Sequence, residues 1–529
     1  MQEWILSQDR SYSRLNKHWQ FSVGADHAKQ ALRADYLKQL KFIHDELGIR
    51  YVRFHGIFCD DMHTLPGLDE VLPIPGGEAL TERSFYYCGA VYDGILETGM
   101  KPLVELSFMP TSLAKSKATG KIFYGSNFSQ PEDYDAWAEH VSEFVKYLLH
   151  RYGAEEVESW YFEVWNEPDL RGSFFLGTQE EYFRLYEVTA RAIKALDEKL
   201  LVGGPATSGS RWISDFVAFC EENDVPVDFV STHQYAGDPL TGVSEPGETA
   251  EADNAETIEK LNAAQGFLAA LPKGIRHLDI MRMIMGEPSE AQDIPNDRFR
   301  LNASAVRKQA KEYPVIYDEW NFSAILTDYG NDTRKAAAYL VKTALDVEKN
   351  VTGSSLWCFS DIFEEMHQFT DEFHGGFGLQ TIHGIPKPSF YALKLLCSLA
   401  ENRIDLGPDA TDGEIGIAAF ENEEKLQVLL FRQKMKQLDL AKETLKVKLP
   451  VGKIPARVTL ERIDAEHGNP LKVWEAQGKP QDLNRAEVQS ILNASRLQTE
   501  RVSFDYADGM AAFSAELGVN DVHLYTLYK

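Results

Sequence analysis

The sequence predicts an α/β protein, a (β/α)8 TIM barrel with an appended β-sandwich, and three observations predict it. Between Trp19 and Ala400, short β-branched or aromatic runs alternate with segments of helical periodicity, the mark of repeated βα units. The runs number eight, which argues for a closed barrel rather than an open doubly wound sheet. From about Glu401 the helical segments give way to short alternating strands with polar connections.

In chain order the barrel strands are Phe21-Ser-Val-Gly24, Ile49-Arg-Tyr-Val-Arg-Phe-His55, Pro102-Leu-Val-Glu-Leu-Ser107, Ser159-Trp-Tyr-Phe-Glu-Val-Trp165, Leu200-Leu-Val-Gly-Gly204, Asp228-Phe-Val-Ser-Thr-His233, Pro314-Val-Ile-Tyr-Asp-Glu319 and Ser354-Ser-Leu-Trp-Cys-Phe359. Helices are expected over 35–47, 134–152, 180–196, 213–223, 334–348 and 389–399, with Gly48 and Gly153 as stop signals. The sixth unit carries an irregular acidic insertion over 237–295; a loop of that length at a barrel mouth serves function or assembly. The sandwich strands are Ile415–Phe420, Leu426–Phe431, Thr444–Leu449, Ala456–Glu461 and Val522–Leu527.

Composition narrows the function classes. Hydrophobic content of 44% with 26% charged residues is that of a globular chain. A formal charge of −27 repels phosphate backbones and anionic lipid, so neither nucleic acid nor a membrane is an expected partner. No basic leader precedes an apolar stretch and no apolar run reaches membrane-spanning length, so a cytoplasmic location is expected. Five scattered cysteines without a Cys-x-x-Cys pair make a disulfide framework or zinc knot unexpected. His55, His63, His233, His367 and His374 form no His-Glu-x-x-His pattern, and neither a metal nor a cofactor is expected. Gly375-Gly-Phe-Gly378 lacks phosphate-loop spacing and reads as a turn.

The chemistry concentrates at two strand ends. Trp160-Tyr-Phe-Glu-Val-Trp-Asn-Glu-Pro168 runs an aromatic-rich fourth strand into Asn166 and Glu167, and barrel active sites lie at the C-terminal ends of strands. Pro314-Val-Ile-Tyr-Asp-Glu-Trp-Asn321 ends the seventh strand on Glu319, across the mouth from Glu167. Alone, Asn-Glu-Pro reads more readily as an N-cap turn than as a catalytic motif; its strand context and the second glutamate reverse that. Two carboxyl groups facing each other across a cleft are what glycoside hydrolysis needs: one protonates the departing oxygen, and the other attacks the anomeric carbon or activates water.

Asn-Glu-Pro after strand four and Asp-Glu-Trp after strand seven resemble the clan of retaining barrel glycosidases. Three further stretches resemble glycoside hydrolase family 39, and its bacterial β-xylosidases in particular: Tyr51-Val-Arg-Phe-His-Gly-Ile-Phe-Cys-Asp-Asp-Met62, Ser231-Thr-His-Gln-Tyr235, and Trp357-Cys-Phe-Ser-Asp-Ile-Phe-Glu-Glu365 with Phe373-His-Gly-Gly-Phe-Gly-Leu379. The resemblance implies a barrel catalytic domain over 16–400 and a sandwich built from 1–15 and 401–529. It makes Glu167 the general acid/base and Glu319 the nucleophile, with Asn166 bonding the sugar 2-hydroxyl. Arg53 would keep Glu319 ionised, and His55, His233 and Tyr235 would line the same subsite, Tyr235 bonding the nucleophile. Trp357 would form the apolar floor, Glu364 and Glu365 would grip hydroxyls, and Phe123 and Phe373 would wall the pocket. For its task Glu167 is expected to be raised by an apolar wall and by the Glu319 anion.

The implied activity is exo-release of xylose from β-1,4-xylo-oligosaccharides by double displacement, in a homo-oligomer, a dimer or a tetramer. Two rivals stand beside it: the same machinery on another glycoside (β-glucoside, β-galactoside, arabinoside or α-L-iduronide), and a barrel that binds sugar without catalysis. The acidic mouth disfavours a uronate, and the pair of glutamates disfavours the binder.

Overall fold

The computed structural model describes residues 2–68, 72, 75–77, 80–119, 125–241, 273–285, 294–365, 368–407, 410–436 and 440–529. Two short strands, β1 (Gln2–Ile5) and β2 (Tyr12–Arg14), precede the barrel. The barrel strands are β3 (Ser22–His27), β4 (Tyr51–His55), β5 (Lys101–Leu106), β6 (Tyr161–Val164), β7 (Leu201–Thr207), β8 (Phe229–Tyr235), β9 (Val315–Asn321) and β10 (Gly353–Leu356). They pair in that order, all parallel, and β10 closes on β3. The eight runs read from the sequence are these eight strands.

Local chemistry sets the helix ends. Asp133 caps Tyr134–Tyr152 by accepting the Asp135 and Ala136 N–H groups. Thr178 and Glu181 close a capping box on Gln179–Lys194. Gly48 ends Ala34–Leu47 at φ 66°, where a side chain would be strained. An apolar layer of Phe21, Leu103, Phe229 and Ile316, flanked by Tyr51, Tyr161 and Leu201, fills the barrel at the N-terminal ends of its strands. Polar side chains are thereby confined to the opposite, C-terminal end.

The second unit has two sheets, with strands β11 (Asn402–Ile404), β12 (Gly416–Glu421), β13 (Lys425–Phe431), β14 (Glu443–Pro450), β15 (Arg457–Ile463), β16 (Glu500–Arg501), β17 (Asp505–Ala507), β18 (Met510–Leu517) and β19 (Val522–Tyr528). One sheet runs β1-β14-β18-β17 and the other β16-β15-β19-β13-β12-β11-β2. Their inner faces share a core that includes Val428, Leu430, Val447, Leu449, Phe513 and Tyr525. β1 joins parallel to β14 and β2 antiparallel to β11. The helix Arg334–Val347 lies between barrel and sandwich, buried along most of its length, and its Lys342 pairs with Asp346 and Asp412 at 2.6 Å. The sequence reading passed over β11, β16, β17 and β18 and over two helices, Pro470–Ala476 and Arg485–Ser495. No described helix is long and apolar enough to cross a membrane.

Candidate active site

Strand periodicity places the first side chains. On β4 Arg53 and His55 share the inward face, while Val52 and Phe54 join the barrel's main hydrophobic core. Neighbouring strands add Glu105 on β5, Glu163 on β6, and His233 and Tyr235 on β8. On β9 the pairing with β8 slips, so that Thr232 opposes Tyr317 and His233 opposes Glu319. This bulge lets two consecutive acids, Asp318 and Glu319, reach the same interior. Beyond β6 the chain passes through Trp165 at φ 76° and Glu167 at φ 43°, and the Glu167 N–H is held by the Ala206 carbonyl at 2.9 Å. Two non-glycine residues at positive φ beside a carboxylate mark a backbone over-determined by its surroundings.

One guanidinium organises the cluster. Arg53 is fully buried; its Nε donates to Glu163 Oε1 at 2.8 Å, Nη1 to Glu319 Oε2 at 3.1 Å and Nη2 to Asn166 Oδ1 at 2.9 Å. Nη2 is also 2.9 Å from Glu105 Oε2, and Asp318 Oδ2 lies 3.9 Å from Nε. Glu319 is met at both oxygens, because Tyr235 donates its hydroxyl to Oε1 at 2.8 Å. His233 lies between the two glutamates, Nδ1 at 2.9 Å from Glu167 Oε1 and 3.7 Å from Glu319 Oε2. Its Nε2 faces both Arg53 Nη2, at 3.4 Å, and Asp318 Oδ1, at 3.5 Å. One donor atom each from Glu167, His233 and Glu319 lie within 4.8 Å of one another.

Burial dominates the electrostatics. It raises Glu167 to about 8, and the next cause is the charge of Asp238. The anion expected to do this was Glu319, so the sequence reading is corrected: Glu167 is raised mainly by burial and then by Asp238, which also holds the Tyr235 N–H at 2.6 Å. Burial likewise lifts Glu105 to about 7, against the lowering by Arg53, and raises Glu163. His55 falls to about 3 and His233 to about 4, both chiefly from burial, so both rings are neutral near pH 7. For Arg53 burial works against the charge, but Glu163, Glu105 and Glu319 outweigh it and hold the guanidinium above its ordinary value.

Of the residues singled out in the sequence, Arg53, Asn166, Glu167, His233, Tyr235 and Glu319 meet in this cluster. His55 joins through Glu105, at 2.7 Å, with its other nitrogen 4.0 Å from Glu319. The Trp357 ring lies 4.6 Å from the His55 ring and packs with Tyr235, Phe363 and Phe377. Gly24 provides its seat, since a Cβ there would overlap the indole. Neighbours Glu364 and Glu365 diverge: Glu365 is pushed well up by burial and then by Asp26, Glu319 and Glu167, whereas Glu364 pairs with Arg33 at 3.1 Å. Phe373 departs from the expected pocket wall; it is buried against Trp474, Ile385, Leu483 and Ile491, because the unforeseen helical pair of the second unit covers it. Phe123 and most of the 237–295 insertion lie outside the described residues. The insertion's described helix, His277–Met285, packs Leu278 beside Tyr235 and Trp357, and its Arg282 covers the Tyr329 ring at 3.9 Å.

Glu105 escaped the sequence reading, although a lone acid in the alternating run Pro102-Leu-Val-Glu-Leu-Ser107 was the available signal. A second group of potential metal donors, His27, Cys59 and Asp61, sits beyond the cluster. There His27 Nδ1 accepts the Lys29 N–H at 3.2 Å, which leaves the ring proton on Nε2, 3.6 Å from Asp61 Oδ1.

Comparison with known proteins adds an independent line. The model for "Glycosyl hydrolases family 39" matches residues 4–272 and 283–510. A β-xylosidase of Caldicellulosiruptor saccharolyticus is 37% identical over 500 residues, 94% of this chain and 92% of that protein. One of Geobacillus stearothermophilus is 32% identical over 516 residues, 97% and 92% of the two chains. The crystal structure of a monomeric β-xylosidase from Caulobacter crescentus CB15 superposes with a TM-score of 0.78 at 28% identity, covering 100% of this chain and 99% of that one.

Proposed function

The chain belongs to glycosyl hydrolase family 39, and on that premise we propose that this glycoside hydrolase is an exo-acting β-xylosidase working by double displacement on β-1,4-xylo-oligosaccharides. The carrying observation is the closeness of Glu167 and Glu319, one carboxylate oxygen of each lying within 4.8 Å of the other. Retaining pairs stand about 5–5.5 Å apart, and inverting pairs about 6.5–9.5 Å, to leave room for water.

Glu167, holding its proton to about pH 8, protonates the leaving oxygen while Glu319, aligned by Tyr235 and Arg53, attacks the anomeric carbon. Asn166 has its carbonyl fixed by Arg53, which leaves its NH2 group to bond the 2-hydroxyl as oxocarbenium character develops. Esterification of Glu319 removes one of Arg53's anionic partners. The guanidinium then acts more strongly on the remaining carboxyls, and Glu167 gives up its proton and serves as base toward water. A neutral sugar suits the site, because Arg53 is outnumbered by Glu105, Glu163, Asp318 and Glu319 and a uronate would add a further anion. Cytoplasmic action on short imported oligosaccharides goes with the exo reading, and cell fractionation tests it. The dimer or tetramer that the resemblance implies stands against a matched structure described as monomeric, and light scattering decides between them.

The test combines a panel of nitrophenyl glycosides with proton NMR of the first-formed product. Release from the β-xyloside with β-xylose appearing first is the expected result. α-Xylose first would overturn double displacement, and release from a non-xyloside alone would overturn the substrate.

A further inference from the structure

The loops that follow β9 and β10 converge on one buried cation that the chemistry above does not use. Lys387, immediately before the helix Pro388–Cys397, is wholly buried, with Nζ 2.6 Å from Asp332 Oδ1 and 2.6 Å from Asp361 Oδ2. It also donates to the Gly376 carbonyl at 3.0 Å. Both carboxylates pass the hold onward: Asp332 Oδ2 accepts the Gly375 N–H at 2.6 Å, and Asp361 Oδ1 accepts the Gly378 N–H at 2.8 Å. This fit explains the glycines of His374-Gly-Gly-Phe-Gly378. A Cβ on Gly376 would overlap Asp361 Oδ1, and one on Gly378 the Asp361 backbone nitrogen.

The clamp reaches the proposed sugar site by two routes. Phe377, held between the clamped glycines, packs with Trp357 and Tyr235 and meets Phe363 edge-on at 5.3 Å. Asn321, at the end of the nucleophile strand, ties the Trp357 and Phe377 carbonyls together through Nδ2. Asp361 itself lies midway in the chain between Trp357 and Glu365. A lysine with no access to solvent, facing two buried carboxylates, is poor as a stabiliser in comparison with apolar packing, so its value lies in fixing one arrangement.

We propose that Lys387 is a positioning residue: through Asp332 and Asp361 it sets Trp357 and Glu365 against the Glu167 and Glu319 pair without touching the substrate. This rests on the reading in which Trp357 and Glu365 meet the sugar. The test is kcat and KM on a nitrophenyl β-xyloside for Lys387→Met, Asp361→Asn, Glu365→Gln and the double variant Lys387→Met/Glu365→Gln, with circular dichroism and melting measured alongside. Where Lys387→Met yields no folded protein, Asp361→Asn carries the test alone and in combination with Glu365→Gln, since it preserves side-chain shape and brings the clamp's formal charge to zero. A displacement of about 1 Å costs about 100-fold in rate, so kcat/KM is expected to fall about 10- to 100-fold in the folded clamp variants. On the Glu365→Gln background the further fall is expected to be under about threefold, because residues acting as a unit are not additive. Folded clamp variants within about threefold of the parent, or losses that multiply in full with Glu365→Gln, overturn the positioning role. Parent-like kcat/KM in Glu365→Gln alone overturns the assignment of Glu365 instead, and the clamp variants then still decide the role of Lys387 through Trp357.

Discussion

Glu167→Gln separates a catalytic acid from a structural one. The amide keeps the shape and can still hydrogen-bond His233 Nδ1, now 2.9 Å from Oε1, but it has no acidic proton to give the leaving group. On a xyloside with a poor leaving group the loss should be about 100- to 10,000-fold, the usual worth of general acid catalysis, and on the dinitrophenyl xyloside, whose phenolate leaves unprotonated, the glycosylation step should be nearly spared. Stability should move the other way. The carboxyl rises from its ordinary 4.5 to about 8, so the folded state binds this proton more tightly than the unfolded chain. Stability conferred by that proton is fully present below pH 4.5 and is lost as pH rises through 8. The span of about 3.5 pH units corresponds to about 5 kcal/mol at its limit. An amide has no such loss. The variant should therefore melt with the parent near pH 4 and above it at pH 8.5; with an unfolding entropy of about 2 cal/mol/K per residue, the gain is about 4–5 °C for a chain of this length. The assays are pH-resolved kcat/KM on the two xylosides and scanning fluorimetry at the two pH values. An equal loss on both leaving groups, or a melting difference that does not grow with pH, would refute the reasoning.

Glu319→Ala should abolish turnover, and azide should restore it with a glycosyl azide of inverted configuration as product; near-parent kinetics without azide would remove Glu319 from the nucleophile's place. Arg53→Met leaves Glu105, Glu163 and Glu319 without a partner that now stands within 3.1 Å of each. Chemical denaturation at pH 7 should show a loss of about 3–5 kcal/mol, shrinking toward pH 5 as the stranded carboxyls take up protons. Tyr235→Phe removes the O–H that meets Glu319 Oε1 at 2.8 Å, and a hydrogen bond to a charged group is worth about 1.5–3 kcal/mol. A fall in kcat/KM of about 10- to 150-fold with unchanged melting is expected, and a purely thermal effect would make the contact structural.

The barrel and much of the cluster were legible because strand residues face alternately in and out. Arg53 and His55 declare a shared face from their spacing alone, and Glu319 declares the mouth by lying near the C-terminal end of a strand. Legibility fails where that period breaks. The bulge that turns Asp318 inward beside Glu319 leaves no mark in Tyr317-Asp-Glu319. Glu364 and Glu365 sit in a loop without period, and only the folded chain sends one to Arg33 and the other toward the glutamate pair. Phe373 was placed by a partner about a hundred residues away, Trp474, on a helix overlooked within an all-strand expectation. The second helix of that pair could have been found, since Asn484 and Glu487 spell its capping box.

The charge balance of the cluster explains why the two glutamates divide their work. Among the described residues, Arg53 is the cation in direct contact with the cluster's carboxylates, and the rings that could supply another, His55 and His233, are kept neutral by burial and by Arg53 itself. Compensation for the remaining carboxyls must therefore come from protons. Those protons settle where burial is strongest relative to contact with Arg53: Glu105 holds one to about 7, and Glu167, which touches His233 but not the guanidinium, to about 8. Of the two catalytic candidates, Glu319 is the one that accepts from the guanidinium as well as from a phenol. The acid is thus marked by lacking contact with Arg53, and the nucleophile by having it. A second cation placed beside Glu167 would stabilise its anion and erase the distinction, even with every other contact intact.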